Sequence, residues 1–167
     1  MKRKILFLAI PLLFLIGCNM ANTPTSKVEE LFTKYQKLDD DIESGISSVL
    51  EEQNMSESQK ERYRKVLEKQ YKNLTYQIKQ EEIDGNNATV TVQIEVLDYK
   101  KAINDLVFDS SIYTKESYDE EKLTRLEKAK ETVKYTLELT VTKDENNGKW
   151  NLNALTNEEI KKIQGMY

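Results

Sequence analysis

Ile83-Asp84-Gly85-Asn86-Asn87-Ala88-Thr89-Val90-Thr91-Val92-Gln93-Ile94 is the stretch that decides the fold. Apolar Ala88, Val90, Val92, Ile94 and Val96 alternate with polar residues, the period of a half-buried strand. Upstream, Tyr76, Ile78, Gln80 and Glu82 alternate with Gln77, Lys79, Glu81 and Ile83. Asp84-Gly85-Asn86-Asn87 between the two runs supplies residues that tolerate a tight turn, so residues 76–96 read as a β-hairpin.

The pattern recurs downstream. Val133, Tyr135, Leu137, Leu139 and Val141 alternate with Lys134, Thr136, Glu138, Thr140 and Thr142. Asp144-Glu145-Asn146-Asn147-Gly148 then turns the chain into Trp150, Leu152 and Ala154, a second hairpin. Placing four strands in one antiparallel sheet sorts its faces. Tyr76, Ile78, Val90, Val92, Ile94, Tyr135, Leu137, Leu139, Trp150 and Leu152 fall on one side. Gln77, Lys79, Thr89, Thr91, Gln93, Glu95, Thr136, Glu138, Thr140, Asn151 and Asn153 fall on the other, a solvated face.

Helical spacing surrounds the strands. Ser26-Lys27-Val28-Glu29 predicts a capping box opening a long first helix. Its inward stripe runs Val28, Leu31, Phe32, Tyr35, Leu38, Ile42, Ile46, Val49 and Leu50, with Gly45 as its weak point. Ser56-Glu57-Ser58-Gln59 opens a second helix with Tyr63, Val66, Leu67, Gln70 or Tyr71, and Leu74 inward. Ala102, Ile103, Leu106 and Val107 suggest a short helix from Tyr99, and Ser117 with Glu120 caps another carrying Leu123, Leu126 and Ala129. Thr156-Asn157-Glu158-Glu159 starts a closing helix with Ile160 and Ile163 inward. The expected class is therefore α+β: N-terminal helices on the apolar face of a curved antiparallel sheet of about four strands, with a short C-terminal helix.

The amino terminus states where such a domain would reside. Lys2, Arg3 and Lys4 precede an apolar run from Ile5 to Ile16, the charge and length pattern of a secretory signal. Twelve apolar residues interrupted by Pro11 make about 18 Å of helix, too short for a hydrocarbon core of about 30 Å. Leu15-Ile16-Gly17-Cys18 then resembles the lipobox of bacterial lipoproteins of the Gram-positive type. That resemblance implies cleavage between Gly17 and Cys18, a diacylglycerol thioether on Cys18, and possible acylation of the new amino terminus. The expected domains are a signal peptide at 1–17, a lipidated tether at 18–25 and one α+β domain at 26–167. Two acyl chains at about 0.8 kcal/mol per CH₂ would hold the chain at the extracytoplasmic face of the cell membrane.

Removing residues 1–17 takes the net charge from −4 to −7, which argues against nucleic acid and against adhesion through a polybasic patch. The chain has no histidine, and Cys18 is its lone cysteine. Imidazole bases, disulfides within the mature chain, thiolate zinc sites and a Cys nucleophile are thus excluded. No phosphate-cradling glycine motif or G-x-S-x-G occurs, and no cofactor is expected. Asp39-Asp40-Asp41 with Glu43 reads as a solvated helical face, since consecutive carboxylates on a helix diverge. Asp144-x-Asn146-x-Gly148 lacks the spacing of a calcium loop and has Leu155 where a bidentate Glu belongs. The Lys/Glu run from Glu116 to Lys134 reads as the outer side of a helix.

Order and layout also resemble the NTF2-like or cystatin-like α+β lipoproteins, on the lipobox, the two leading helices, and late strands ending in Gly148-Lys149-Trp150 with a closing helix. In that group helices and a curved sheet often enclose a pouch. The residues such a pouch would be lined by here are Tyr76, Glu82, Tyr135 and Trp150. Glu82 is the one carboxylate expected on the inward faces, so a hydrolase or isomerase would work through Glu82 with Tyr76 or Tyr135. The bland reading makes both tyrosines and Trp150 core aromatics. The leading expectation is a membrane-anchored, non-catalytic module that binds a protein, an envelope polymer or a small ligand. A structural envelope or assembly factor is the third reading.

Overall fold

The computed structural model describes residues 22–167; the signal-like segment, Gly17 and Cys18 lie outside the described residues. In chain order the elements are α1 Pro24–Lys37, α2 Asp40–Glu51, α3 Glu57–Asn73, β1 Thr75–Asp84 and β2 Asn87–Leu97. They continue as α4 Tyr99–Ala102, α5 Lys115–Lys128, β3 Thr132–Lys143, β4 Trp150–Leu152 and α6 Asn157–Ile163. The strands form one open antiparallel sheet in the order β1-β2-β3-β4. The fold is α+β, with a curved sheet and a short C-terminal helix, as the strand and helix periods predict.

The long first helix is divided. Leu38 takes a left-handed conformation (φ 51°, ψ 56°), its N–H closing the end of α1 onto Lys34 and Tyr35 carbonyls. Asp39 then caps α2, its carboxylate accepting from the Ile42 N–H at 3.2 Å. Asp40, Asp41 and Glu43 occupy the first turn of α2, where carboxylates favour the positive end of the helix dipole. Gly45, the anticipated weak point, sits inside α2. The first cap is also three residues earlier than predicted: Thr23 is the N-cap of α1, with Ser26 as its reciprocal partner. Pro24 and Thr25, read as tether, therefore belong to α1.

Inside the sheet, Val90, Val92, Ile94, Leu137, Leu139 and Val141 are all buried. They pack against Val28 and Phe32 of α1, Ile46 and Leu50 of α2, Leu67, Tyr71 and Leu74 around α3, and Ile163 of α6. A second cluster joins Val66, Leu97, Tyr99, Leu126 and Ala129. The inner face carries the residues that alternation assigned to it, apart from the far half of β1. There the ladder slips between Ile78 and Gln80, and Lys79 is left unpaired. Beyond that bulge the parity inverts: Glu81 opposes Val90, and Glu82 opposes Thr89. Ala154 falls past the three-residue β4 and is exposed.

Hydrogen bonds fix the long axis of the molecule. At the turn end of the sheet, the Asn22 side chain donates to Gly148 O and accepts from the Trp150 N–H, both at 2.9 Å. At the opposite end α3 runs outward past the strands. Gln70 meets Leu97, and one helical turn further on the Tyr99 hydroxyl donates to Val66 O at 2.9 Å. α5 lies parallel to α3: Lys69 caps its C-terminal carbonyls at Glu127 and Ala129, while Gln59 reaches Glu116 O at its start. The chain thus enters at one pole, and the segment joining α4 to α5 lies at the other.

Candidate functional site

The four residues expected to line a pouch do not converge. Tyr76 opposes Ile94, which opposes Tyr135, so the two tyrosines share a row on the inner face two strands apart. Tyr76 stacks on Phe32, with ring centroids 4.7 Å apart. Tyr135 meets Tyr167 edge-on at 5.8 Å, and its hydroxyl donates to Tyr167 O at 3.1 Å. Trp150 is buried beside the second turn, with the Lys143 ammonium 5.8 Å above its ring. Both tyrosines and Trp150 are core or rim aromatics.

Glu82 lies on the other side of the sheet. The bulge at Lys79 turns it outward, where its carboxylate is exposed and accepts from the Gln80 carboxamide at 2.6 Å. Glu81 takes the inward position instead, and its Oε2 accepts from the Thr25 N–H and hydroxyl at 2.8 and 2.6 Å. The proposed Glu–Tyr pair is therefore not assembled. Burial, with Glu29 as a second contribution, pushes the Tyr76 phenol above its ordinary value, and burial does the same for Tyr135. A phenol shifted in that direction is a poorer base near neutrality.

Two open clefts meet where the sheet passes into the outer helices. One, about 620 Å³, is lined by Lys69, Asn73, Thr75, Glu95 and Lys130. Its neighbour, about 530 Å³, shares Lys130 and adds Asp98, Lys101, Asp105, Arg125 and Glu131. Most of these charges are already matched. Lys69 donates to two helix-end carbonyls, Lys101 pairs with Glu131 at 2.6 Å, and Arg125 bridges Asp105 and Glu121 at 2.6 and 2.8 Å. The Thr132 hydroxyl and then Lys134 hold Glu95 below the usual carboxylate range. Among the described residues no group of three metal-ligating side chains converges. These clefts can hold a ligand; in the first the Thr132 hydroxyl donates to Glu95 at 2.7 Å, and a carboxylate held below its usual range is a weak base for that hydroxyl.

A different feature stands out at the far pole. The expected helix from Tyr99 ends at Ala102, and the next helix begins at Lys115, capped by Thr114 with Ser117 as partner. Between them Leu106 is buried, but Val107, Phe108 and Ile112 are 72%, 50% and 70% exposed. This exposure is held in place. The Asp109 carboxylate accepts from the Ser111 N–H and hydroxyl, and its carbonyl accepts from Ile112 and Tyr113. Tyr118 backs the loop, edge-on to Phe108 and Tyr113 at 5.4 and 5.9 Å, with its hydroxyl on Leu106 O. Helical spacing drew Val107 into a core stripe; the clue against it was Val107-Phe108 followed by Asp109-Ser110-Ser111, where no regular period continues.

Compared with known protein families, curated proteins and solved structures, the chain finds no match.

Proposed function

We propose that this chain is a lipid-anchored extracytoplasmic module that works by binding rather than by catalysis, with kinship to the NTF2-like or cystatin-like lipoproteins. Anchoring is read from Leu15-Ile16-Gly17-Cys18 behind its charged and apolar leader. The observation that carries the binding reading is the state of the inner sheet face. Val90, Val92, Ile94 and Val141 are closed off by α1 and α3, and the carboxylate a pouch enzyme would need is on the opposite side. Helices on one face of a curved antiparallel sheet, with a short closing helix, support the kinship.

The test is the mass of the protein recovered from membranes of the producing cell. The expected chain begins at Cys18 with a diacylglycerol on sulfur, and Cys18→Ala is released from the membrane fraction. An unmodified thiol, or a cytosolic protein still starting at Met1, refutes anchoring. The same material should bring down a partner or gain thermal stability with a ligand. Absence of both refutes the binding reading.

A further inference from the structure

From the rigid apolar tip formed by Val107, Phe108 and Ile112 we infer a docking site for a protein partner whose apolar pocket is bordered by Lys or Arg. The inference rests on the anchored binding module proposed above and names the surface it uses.

Exposed apolar side chains are ordinary singly; here three, Val107, Phe108 and Ile112, fall within one short loop, with Tyr118 behind Phe108. The bracing matters. A loop already fixed by Asp109 and Tyr118 loses little freedom on binding, so its apolar contact area is available as affinity. Phe108, half-covered by Tyr118, has the character of an anchor that fills a pocket.

Charge selects the kind of partner. From Asp105 to Glu121 the sequence holds six carboxylates, Asp105, Asp109, Glu116, Asp119, Glu120 and Glu121, against the single cation Lys115. Facing groups answer some of them. Arg62 of α3 pairs with Glu120, Arg125 takes Glu121 and Asp105, and Lys115 takes Asp119. The remaining rim stays acidic. Like-charged rims disfavour a second copy of the same tip, and an acidic rim disfavours an anionic lipid surface. Position argues the same way. The described chain begins at Asn22 on the turn end, four residues after Cys18, whereas the tip lies at the opposite pole. A short leash at one pole holds the other away from the bilayer.

The experiment places a photo-crosslinking p-benzoylphenylalanine at Phe108, or at Ile112 in a second variant, in the full chain within intact producing cells. Both positions should yield a hetero-adduct, and the same label at Gln93 on the outer sheet face should not. The crosslinked partner segment should carry Lys or Arg beside apolar residues, and Glu116→Lys should lower the yield about fivefold. No adduct, an adduct of twice the chain's own mass, an adduct to lipid, or a yield indifferent to Glu116→Lys overturns the proposal. Fractionation of the same cells reads anchoring separately. A membrane-bound chain without the adduct sinks the docking site alone, and an adduct on an unanchored chain sinks the anchor alone.

Discussion

Gln70 closes both backbone groups of Leu97: its carboxamide nitrogen donates to Leu97 O and its oxygen accepts from the Leu97 N–H, each at 2.9 Å. The side chain is fully buried, so it takes the place of the β1 partner that Leu97 lacks, since β1 pairs with β2 only as far as Thr75 opposite Glu95. Gly165 packs on the same spot at φ 67°, and a Cβ there would overlap Leu97 O and the Gln70 amide nitrogen. Its carbonyl accepts from the Lys100 N–H at 2.7 Å.

Gln70→Leu strands a buried donor and a buried acceptor, and should cost about 3 kcal/mol in denaturant unfolding. Gln70→Glu is the sharper variant. Its ionised form repels Leu97 O, whereas a protonated carboxyl can donate to it. Its folded pKa should rise, so stability is lost near neutrality and regained as pH falls below the folded value. A Gln70→Glu protein as stable as the parent at pH 7 contradicts this account.

Arg62 ties α3 to α5 through Glu120 and Glu127, its Nε and Nη2 meeting Glu127 at 2.8 and 2.9 Å. This hydrogen bonding holds the Glu127 carboxyl below its ordinary range and pushes Arg62 further above its own. A depressed folded pKa contributes stability above the unfolded value near 4.3, and that stability is lost as pH falls through the folded value. Arg62→Gln should cost about 1 kcal/mol at pH 7, since both side chains are partly exposed. Its unfolding free energy should fall less steeply than the parent's on acidification below about pH 4.3.

Burial pushes the Tyr35 and Tyr99 phenols well above the ordinary tyrosine value, with Tyr71 and Tyr63 as secondary contributors. The folded chain retains protons that the unfolded chain releases near pH 10. The linked stability is therefore full below that value and declines as pH rises above it. In a spectrophotometric titration, tyrosinate signal from these two phenols should appear together with loss of circular dichroism. Tyr35→Phe should flatten the alkaline decline, and ionisation of Tyr35 in a still-folded protein contradicts the burial argument.

The strand assignments were legible because alternation is a strict period, and Val90, Val92, Ile94, Leu137 and Leu139 have no room on the solvated face. Two departures came from backbone states that side-chain patterns do not encode. Leu38 adopts φ 51° because its side chain remains in the core (8% exposed), so the apolar stripe runs unbroken across a real helix end. Lys79 bulges without a glycine to mark it, and every residue from Gln80 to Asp84 changes face. The candidate Glu82 inherited that error. The loop at Val107 escaped because its apolar residues mimic helical spacing for one turn.

Gly45 offers a stabilising change. It lies inside α2 with open space where a Cβ would go, so nothing in the packing requires glycine. Gly45→Ala should raise stability by about 0.5–1 kcal/mol through helix propensity alone. An unchanged or lowered melting temperature contradicts the open environment at that site.

The Lys79 bulge predicts an unusual tolerance. Ile78 opposes Val92 and Gln80 opposes Thr91, so the ladder can close directly across the gap if Lys79 is removed. Glu81 would stay opposite Val90, keeping its hydrogen bonds to Thr25, and Glu82 would stay in solvent. Lys79 itself is exposed, and its ammonium donates to the Gln77 side chain at 2.6 Å. Deleting Lys79 should therefore cost no more than about 1 kcal/mol. Deleting Thr91 in β2 is the contrast, because β2 pairs with β3 without interruption from Asn87 to Leu97. One missing residue there sends either the Val90 half or the Val92 half of the strand to the wrong face, and the domain should not fold. A Lys79 deletion as damaging as that of Thr91 would mean that the twist imposed by the bulge, rather than the pairing around it, holds β1 against α1.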